Sequence, residues 1–169
     1  MLNRIVFSVL VLCAAAAPSF CANEIYLQLT PALKGSGDDK DHKDWIEVVS
    51  INNLAKTGQA GPVVITKKTD IATPCLQNAC VLGTPYVVAK IEVCTADANK
   101  ARYYTITLSN LVITQIKQVI SNPDDANSAT EELTCTYGRI EWQYNQLNAG
   151  KDSGPAIKTD WDNKSGGKK

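Results

Sequence analysis

The chain has 169 residues, with 17 basic side chains, 17 acidic side chains and one histidine. Its 44% hydrophobic and 20% charged residues exclude collagen-like, coiled-coil and highly charged disordered proteins, and its length fits one domain. Zero net charge argues against general binding of polyanions, and a single histidine excludes His-rich metal sites.

The N-terminal segment, residues 1–21, has the organisation of a secretory signal peptide. Arg4 supplies an early positive charge, and the apolar run Ile5–Ala17 leads through small residues to Cys21. The 13 residues of this run are too few to cross a bilayer, which needs about 20. We predict cleavage after Cys21 and export to the periplasm or the medium. The alternatives are cleavage after Ser19, an uncleaved anchor and a lipid anchor on Cys21.

The first half of the exported chain consists of predicted strands around one polar loop. Glu24–Leu29 alternates apolar and polar residues, as a half-buried strand does. A polar loop around His42 follows, and then Trp45–Ile51 and Pro62–Lys67, which are rich in β-branched residues. Trp45–Ile51 is apolar on both faces, so we expect a helix or another subunit to cover one of them. The candidate subunit-interface residues are therefore Trp45, Val49 and Ile51.

The second half begins with the only segment that suits a helix, near Thr73–Ala79, where Thr73 can cap and Pro74 suits the first helical position. A change of parity at Gly138–Arg139, inside the run Glu131–Gln146, indicates a β-bulge or a tight turn. Many short strands and one helix predict a mainly β domain over residues 22–162, as a barrel or a two-sheet sandwich, with a flexible tail over 163–169. The other predicted strands are Tyr86–Cys94, Tyr103–Leu108 and Leu111–Ile120.

Four cysteines remain after the signal is removed. An even number in an oxidising compartment suggests disulfides, and four cysteines allow three pairings. Free buried thiols and a four-thiolate zinc site are the alternatives, although two of the four are isolated in sequence, unlike the paired ligands of zinc ribbons. Pairing the two that are five apart would require the helix to end between them. The disulfide candidates are Cys75, Cys80, Cys94 and Cys135.

The search for catalytic motifs finds little. The chain has no Gly-rich phosphate loop, no Gly-x-Ser-x-Gly elbow and no His-Glu-x-x-His. We interpret the acidic loop around His42 as solvated, with a calcium site and a catalytic His42 as weaker readings, because no EF-hand glycine or suitable nucleophile accompanies it. We therefore predict no enzyme activity, no catalytic residue, no cofactor and no metal. The aspartates of this loop are Asp38, Asp39, Asp41 and Asp44.

An ordered series of segments resembles the haemolysin-coregulated protein (Hcp) family, the tube proteins of type VI secretion systems. It covers nearly the whole exported chain. The segments are Glu24–Leu29, the Gly-Ser-Gly-acidic loop with His42, Trp45–Val49, Ile65–Pro74, Ala89–Val93, Tyr104–Leu108, Glu131–Thr134 with Ile140–Tyr144, and Gly154–Trp161.

This resemblance implies a compact two-sheet β-barrel of antiparallel strands with one short flanking helix. It also implies a homohexameric ring, able to stack into a tube and to hold small effectors in its lumen, with spike or sheath proteins as further partners. Neither nucleic acid nor stable membrane insertion is expected. Two departures stand out: the signal peptide, and a segment over 52–62 that is shorter than the family's extended loop. The alternative function is an exported monomeric β-barrel binding module that no longer forms a tube.

Overall fold

The computed structural model describes residues 23–120, 129–148 and 151–166, with backbone alone at 148 and 151–154. The predicted signal peptide lies outside the described residues, as do residues 167–169 of the predicted tail. Nine strands and one helix follow one another in the described residues. They are β1 Asn23–Thr30, β2 Ile46–Val48, β3 Ser50–Lys56, β4 Gln59–Lys68, α1 Thr73–Leu82, β5 Tyr86–Thr95, β6 Arg102–Ile120, β7 Ala129–Thr136, β8 Arg139–Asn148 and β9 Lys151–Asp162.

The strands form one antiparallel sheet with two branches that share β6. The first branch has the order β2-β1-β5-β6-β8-β9, and the second has the order β6-β7-β4-β3. Strand β6 has 19 residues and pairs with β5 and β8 through its first half and with β7 through its second half. The mainly β class and the single short helix are therefore confirmed. Among the described residues no ladder joins β2 to β3, the two ends of the strand path.

Strand β6 is one element where the sequence predicted two. Asn110 lies between the two predicted runs and adopts a left-handed backbone with φ of 53°. The ladder with β8 ends at Ser109, and the ladder with β7 begins at Val112. A single left-handed residue bends the strand as a bulge does, so that the chain passes from one branch to the other without a loop.

The predicted strand Trp45–Ile51 is instead two strands that change partner at Val49. Strand β2 pairs with β1, whereas β3 pairs with β4. Val49 donates its N–H to the Thr66 carbonyl at 2.8 Å. Strands β3 and β4 extend through the segment 52–62 and form a hairpin, in which Gly58 has a φ of 74°. The inward-facing positions change from Ile46 and Val48 in β2 to Ile51 in β3, and in a run that is apolar on both faces this change of parity does not reveal the break.

Helix α1 confirms the predicted helix but not its cap. Its N-cap is Ala72, without a side-chain cap hydrogen bond, and Gly83 ends it with a φ of 62°. Thr73 is instead inside the first turn, where its Oγ1 accepts from the Asp70 N–H at 3.0 Å and donates to Glu131 of β7 at 2.9 Å. Thr73 was predicted as the cap because its hydroxyl suits one, and the structure uses that hydroxyl to join the helix to the sheet.

The core lies between the two branches and beneath α1. Its fully buried side chains alternate along the strands, as the sequence pattern predicts. The tight turn at Gly138 between β7 and β8 agrees with the predicted change of parity, whereas β9 was not predicted from periodicity. Asn163, the first residue of the predicted tail, donates its backbone N–H to the Gly138 carbonyl at 2.9 Å. The largest fully buried apolar side chains are Leu27, Leu29, Ile46, Ile65, Leu76, Ile91, Leu108, Leu111, Ile113, Leu133 and Ile140.

Candidate functional site

His42 is buried rather than solvated, so our expectation of a solvated acidic loop is wrong at its centre. Its side chain is only 5% exposed. The ring stacks on Tyr26 of β1 at 4.1 Å between centroids and meets the Trp45 ring edge-on at 5.0 Å. Nδ1 lies 2.9 Å from Asp39 Oδ1, and Nε2 lies 3.0 Å from Glu92 Oε2.

Both ring nitrogens of His42 thus face carboxylate oxygens. Nδ1 and Nε2 of His42 are therefore each engaged by a carboxylate of the protein itself. No ring nitrogen is left to act as a base on a substrate. The contacts instead attach the β1–β2 loop, over 31–45, to strand β5. The geometry therefore argues against a catalytic role for His42.

Cations surround the two carboxylates that hold His42. Lys90 Nζ and Arg102 Nη1 approach Glu92 Oε1 at 2.5 and 2.8 Å, and Lys100 Nζ approaches Asp39 Oδ2 at 2.8 Å. The Lys100 ammonium beside Asp39 holds the pKa of that carboxyl well below its usual range. Burial raises the pKa of Glu92, but hydrogen bonds from Lys90, His42 and Arg102 outweigh it and leave that pKa lowered. Charge pairing is therefore complete enough to keep both acids ionised.

A second buried ion pair, which the sequence analysis missed, joins β4 to β7. Lys67 Nζ donates to Glu131 Oε1 at 2.6 Å and to Asp70 Oδ1 at 2.7 Å, and both Lys67 and Glu131 side chains are 0% exposed. Within residues 23–120, 129–148 and 151–166, Glu131 Oε2 has no hydrogen-bond partner. The signal was present in the sequence, because Lys67 follows Val63 and Ile65 at the inward-facing positions of β4.

The other aspartates of the acidic loop do not converge on one point. Asp44 pairs with Lys34 at 3.2 Å on the surface, and Asp41 is exposed. In the part of the chain that the structure describes, no group of three or more His, Cys, Asp or Glu side chains is placed to hold a metal ion. In the same part of the chain, no helix has the length and apolarity that crossing a membrane requires.

The four cysteines occupy different environments. All four are free thiols, so none of the disulfides predicted from the sequence is formed in this structure. Cys94 and Cys135 are buried, and burial raises the pKa of Cys94 to about 11 and of Cys135 to about 12. Cys80 is half-buried and Cys75 is exposed, both on α1. Burial therefore keeps these two thiols mostly protonated at neutral pH.

Of the three candidate interface residues, only Val49 is openly exposed, at 55%. Trp45 packs against His42, and Ile51 packs partly against the core. Val49 lies with Ile71 in an open groove of about 510 Å³, whose rim includes Glu47 and Lys68. We call this the β2-edge groove. A second exposed apolar surface, the β9-edge patch, consists of Tyr144 and Ile157, which face each other across the β8–β9 ladder.

The chain is similar in sequence and in fold to proteins of type VI secretion. Residues 26–144 match the family described as "Type VI secretion system effector, Hcp". The "Major exported protein" of Pseudomonas aeruginosa is 28% identical over 147 residues, which cover 75% of this chain and 81% of that protein.

Solved structures agree in fold. Hcp1 from Salmonella typhimurium has a TM-score of 0.76 at 22% identity, with 85% of this chain and 96% of that chain covered. A structure described as a type six secretion system protein has a TM-score of 0.77 at 21% identity, with 86% and 98% covered. The family match spans most of the described chain and includes both buried ion clusters. The chain therefore belongs to the Hcp family of type VI secretion, whose members are structural, non-enzymatic tube and secreted proteins.

Proposed function

We propose that the chain is an exported Hcp ring subunit, which assembles as a homohexamer whose lumen can hold small effectors. Family membership supports the ring. The proposal rests on two unlike apolar surfaces of this chain, the β2-edge groove and the β9-edge patch. They lie at opposite edges of one branch of the sheet. A closed ring needs such an arrangement, because each subunit must offer two different surfaces to its two neighbours.

Closure of the sheet into a two-sheet barrel belongs to the same proposal. The strand path ends at β2 and β3, and these two strands are consecutive in the chain with only Val49 between them. Stacking of rings and contacts with spike or sheath proteins would involve the ring faces, to which the short β3–β4 hairpin is a candidate contributor.

Export through a cleaved signal peptide is the second part of the proposal. The charged, apolar and small-residue regions of residues 1–21 support it, as does the similarity to a protein named for its export. The intact mass of protein recovered from the periplasm or medium of a bacterial host tests it. A chain that begins at Ala22 or at Phe20 supports cleavage, whereas the full-length mass contradicts it.

Light scattering of the purified protein across micromolar to millimolar concentrations tests the ring. A mass of six subunits at the upper end supports the proposal. A monomer throughout this range contradicts it and favours the exported monomeric binding module.

Substitutions in the two apolar surfaces test whether these surfaces form the contact between subunits. Val49→Glu in the groove and Ile157→Glu in the patch each place a charge where the ring would bury it, and we expect at least a tenfold weaker association from either. Val81→Glu is the matched control, since Val81 is an exposed apolar residue of α1 outside both surfaces. Equal weakening by all three would contradict the assignment of these surfaces.

A further inference from the structure

The positions of the four cysteines restrict which of them can meet. Cys94 of β5 lies opposite Arg102 of β6, and Cys135 of β7 lies opposite Ile113 of the same strand. Arg102 and Ile113 are separated by eleven residues of extended chain, which is roughly 35 Å of strand. A disulfide needs Cα atoms within about 7 Å, so Cys94 cannot reach Cys135.

The two cysteines of α1 point in different directions. The helix is continuous from Thr73 to Leu82, so Cys75 and Cys80 are about 140° apart around its axis and cannot pair. Cys75 is exposed, and its charge contributes to the raised pKa of Tyr86, after the larger effect of burial. Cys80 packs against the core cluster that contains Cys135. Of the two helix cysteines, Cys80 is therefore the one that faces the core in which Cys135 is buried.

A hydrogen bond formed in the structure ties the first turn of α1 to β7. Thr73 of the helix donates to Glu131 of the strand at 2.9 Å. Cys80 is two helical turns beyond Thr73 on the same side of the helix, about 10 Å along. Cys135 is four residues beyond Glu131 on the same face of the strand, about 13 Å along. Both cysteines therefore lie beyond this shared anchor, Cys80 along the helix and Cys135 along the strand.

We propose that Cys80 and Cys135 form a disulfide that links α1 to β7 when the protein meets a disulfide oxidant. The structure represents the reduced, dithiol form. The raised pKa of Cys135, to which the charge of Cys80 contributes after the larger effect of burial, agrees with this pairing. In the cell the oxidant would come from an oxidising compartment, so occurrence there rests on the proposed export.

The reaction with oxidised glutathione proceeds by two exchanges. The more accessible Cys80 thiolate attacks one glutathione sulfur, forms a mixed disulfide and releases one glutathione thiolate. Cys135 then loses its proton to water, and its thiolate attacks Cys80 Sγ and displaces the second glutathione thiolate. The two protein thiols lose two electrons, and one oxidised glutathione becomes two reduced molecules.

The test uses the purified, reduced chain in solution, so that its outcome depends neither on export nor on ring formation. After treatment with oxidised glutathione, tryptic digestion without reduction should yield peptide 69–90 linked to peptide 118–139. Cys75→Ser should leave this link intact, and Cys80→Ser should abolish it while far-ultraviolet circular dichroism shows the native fold. Because Cys135 has a pKa of about 12, closure of the mixed disulfide should accelerate about tenfold per pH unit between pH 7 and pH 9.

Three results would overturn the proposal. The first is a link that survives Cys80→Ser and disappears in Cys75→Ser. The second is a link from either peptide to the one that contains Cys94. The third is a product that remains a glutathione adduct on Cys80 at pH 9 while far-ultraviolet circular dichroism shows the native fold.

Discussion

Lys67 is a charged side chain at an inward-facing position of a core strand, where desolvation is costly. Its ammonium is enclosed by Glu131, Asp70 and the hydroxyl of Thr73. In such an arrangement, the loss of one partner is far more damaging than the loss of both, because it leaves an uncompensated buried charge. The cluster also joins three elements, since Glu131 belongs to β7 and Thr73 to α1. The cluster therefore fixes the position of α1 against the sheet.

Replacing Lys67 with Met should therefore lower the free energy of unfolding by about 3–5 kcal/mol, measured by urea denaturation at one fixed protein concentration. The double variant Lys67→Met, Glu131→Leu should lose less than the sum of the two single variants. Lys158→Met is the control, because Lys158 and Glu141 form an exposed pair at 3.7 Å that should contribute less than about 1 kcal/mol. A loss below 1 kcal/mol in Lys67→Met would show that the buried pair is not needed for stability.

The carboxylates around His42 make the stability of the fold depend on pH in the acidic range. Lys100 bonds both Glu24 and Asp39 at 2.8 Å, and it is the main cause of the lowered pKa of each. Their ordinary values are 4.5 and 3.8. Because the folded pKa values are lower than the unfolded ones, this stabilisation is complete above about pH 5 and is lost as the pH falls through the folded values.

Lys100→Met should accordingly be less stable than the wild type at pH 7 and pH 5, and the difference in free energy of unfolding should shrink by pH 3. Its acid-unfolding midpoint, followed by tryptophan fluorescence, should move to higher pH. Lys34→Met removes an equally charged but exposed lysine, paired with Asp44 at the surface, and should leave the midpoint in place. A constant difference between wild type and Lys100→Met down to pH 3 would argue against this origin of the stability.

At the scale of elements, the long β1–β2 loop is held by backbone contacts that only glycine permits. Gly35 donates its N–H to the Asp44 carbonyl at 2.7 Å, and Gly37 donates to the Trp45 carbonyl at 2.8 Å. A Cβ on Gly35 would lie 2.3 Å from the Trp45 carbonyl oxygen, which is far inside van der Waals contact. The loop is thus folded back on its own end, and this brings His42 to β5.

Gly35→Ala should displace this end of the loop and lower the free energy of unfolding by about 2 kcal/mol, a typical cost of overpacking. The near-ultraviolet circular dichroism of Trp45 should change with it, because its ring contacts His42. Ser36→Ala alters the exposed neighbour and should leave both signals unchanged. A wild-type stability for Gly35→Ala would mean that the loop can shift without affecting the sheet.

The elements that the sequence predicted well are those whose own side chains carry the signal. Strands β1 and β5 were predicted from the alternation of apolar and polar residues within each strand. Helix α1 was predicted from the segment in which Pro74 suits the first helical position. The break at Val49 was missed because the run is apolar on both faces, which hides the change of inward-facing positions and of partner between β2 and β3. Strand β9 was missed because residues 151–162 have few apolar side chains, and their pairing with β8 organises them as a strand. Partner choice is a tertiary property, which a local pattern does not encode.

The same distinction between local pattern and tertiary pairing explains which parts of the candidate site could be predicted from the sequence. Four aspartates and two lysines around His42 suggested solvation, since a local excess of charge usually faces water. Glu92, which contacts the buried ring of His42, is 50 residues away in sequence. Lys67 could have been found, because its position shares the parity of buried neighbours. The apolar surfaces at the two sheet edges could not have been predicted from the sequence. Tyr144 and Ile157, for example, become neighbours only through the β8–β9 ladder.

At the scale of the whole molecule, the order of the first branch separates the two exposed apolar surfaces. Strands β2 and β9 are its two ends, with four strands between them, which places the surfaces roughly 24 Å apart across the sheet. A self-complementary dimer would use one surface twice, whereas a ring inserts one surface of each subunit into the other surface of the next. The two modes differ in how variants complement each other.

In the ring mode, Val49→Glu blocks the groove but leaves the β9-edge patch intact, and Ile157→Glu does the reverse. Each variant alone should be monomeric at concentrations where the wild type is a ring. An equimolar mixture should form one intact contact between the unaltered patch of the first variant and the unaltered groove of the second. Light scattering should then report heterodimers that cannot close, because their two remaining surfaces both carry a glutamate. Monomers in the mixture, or a dimer of either variant alone, would exclude a head-to-tail contact between these two surfaces.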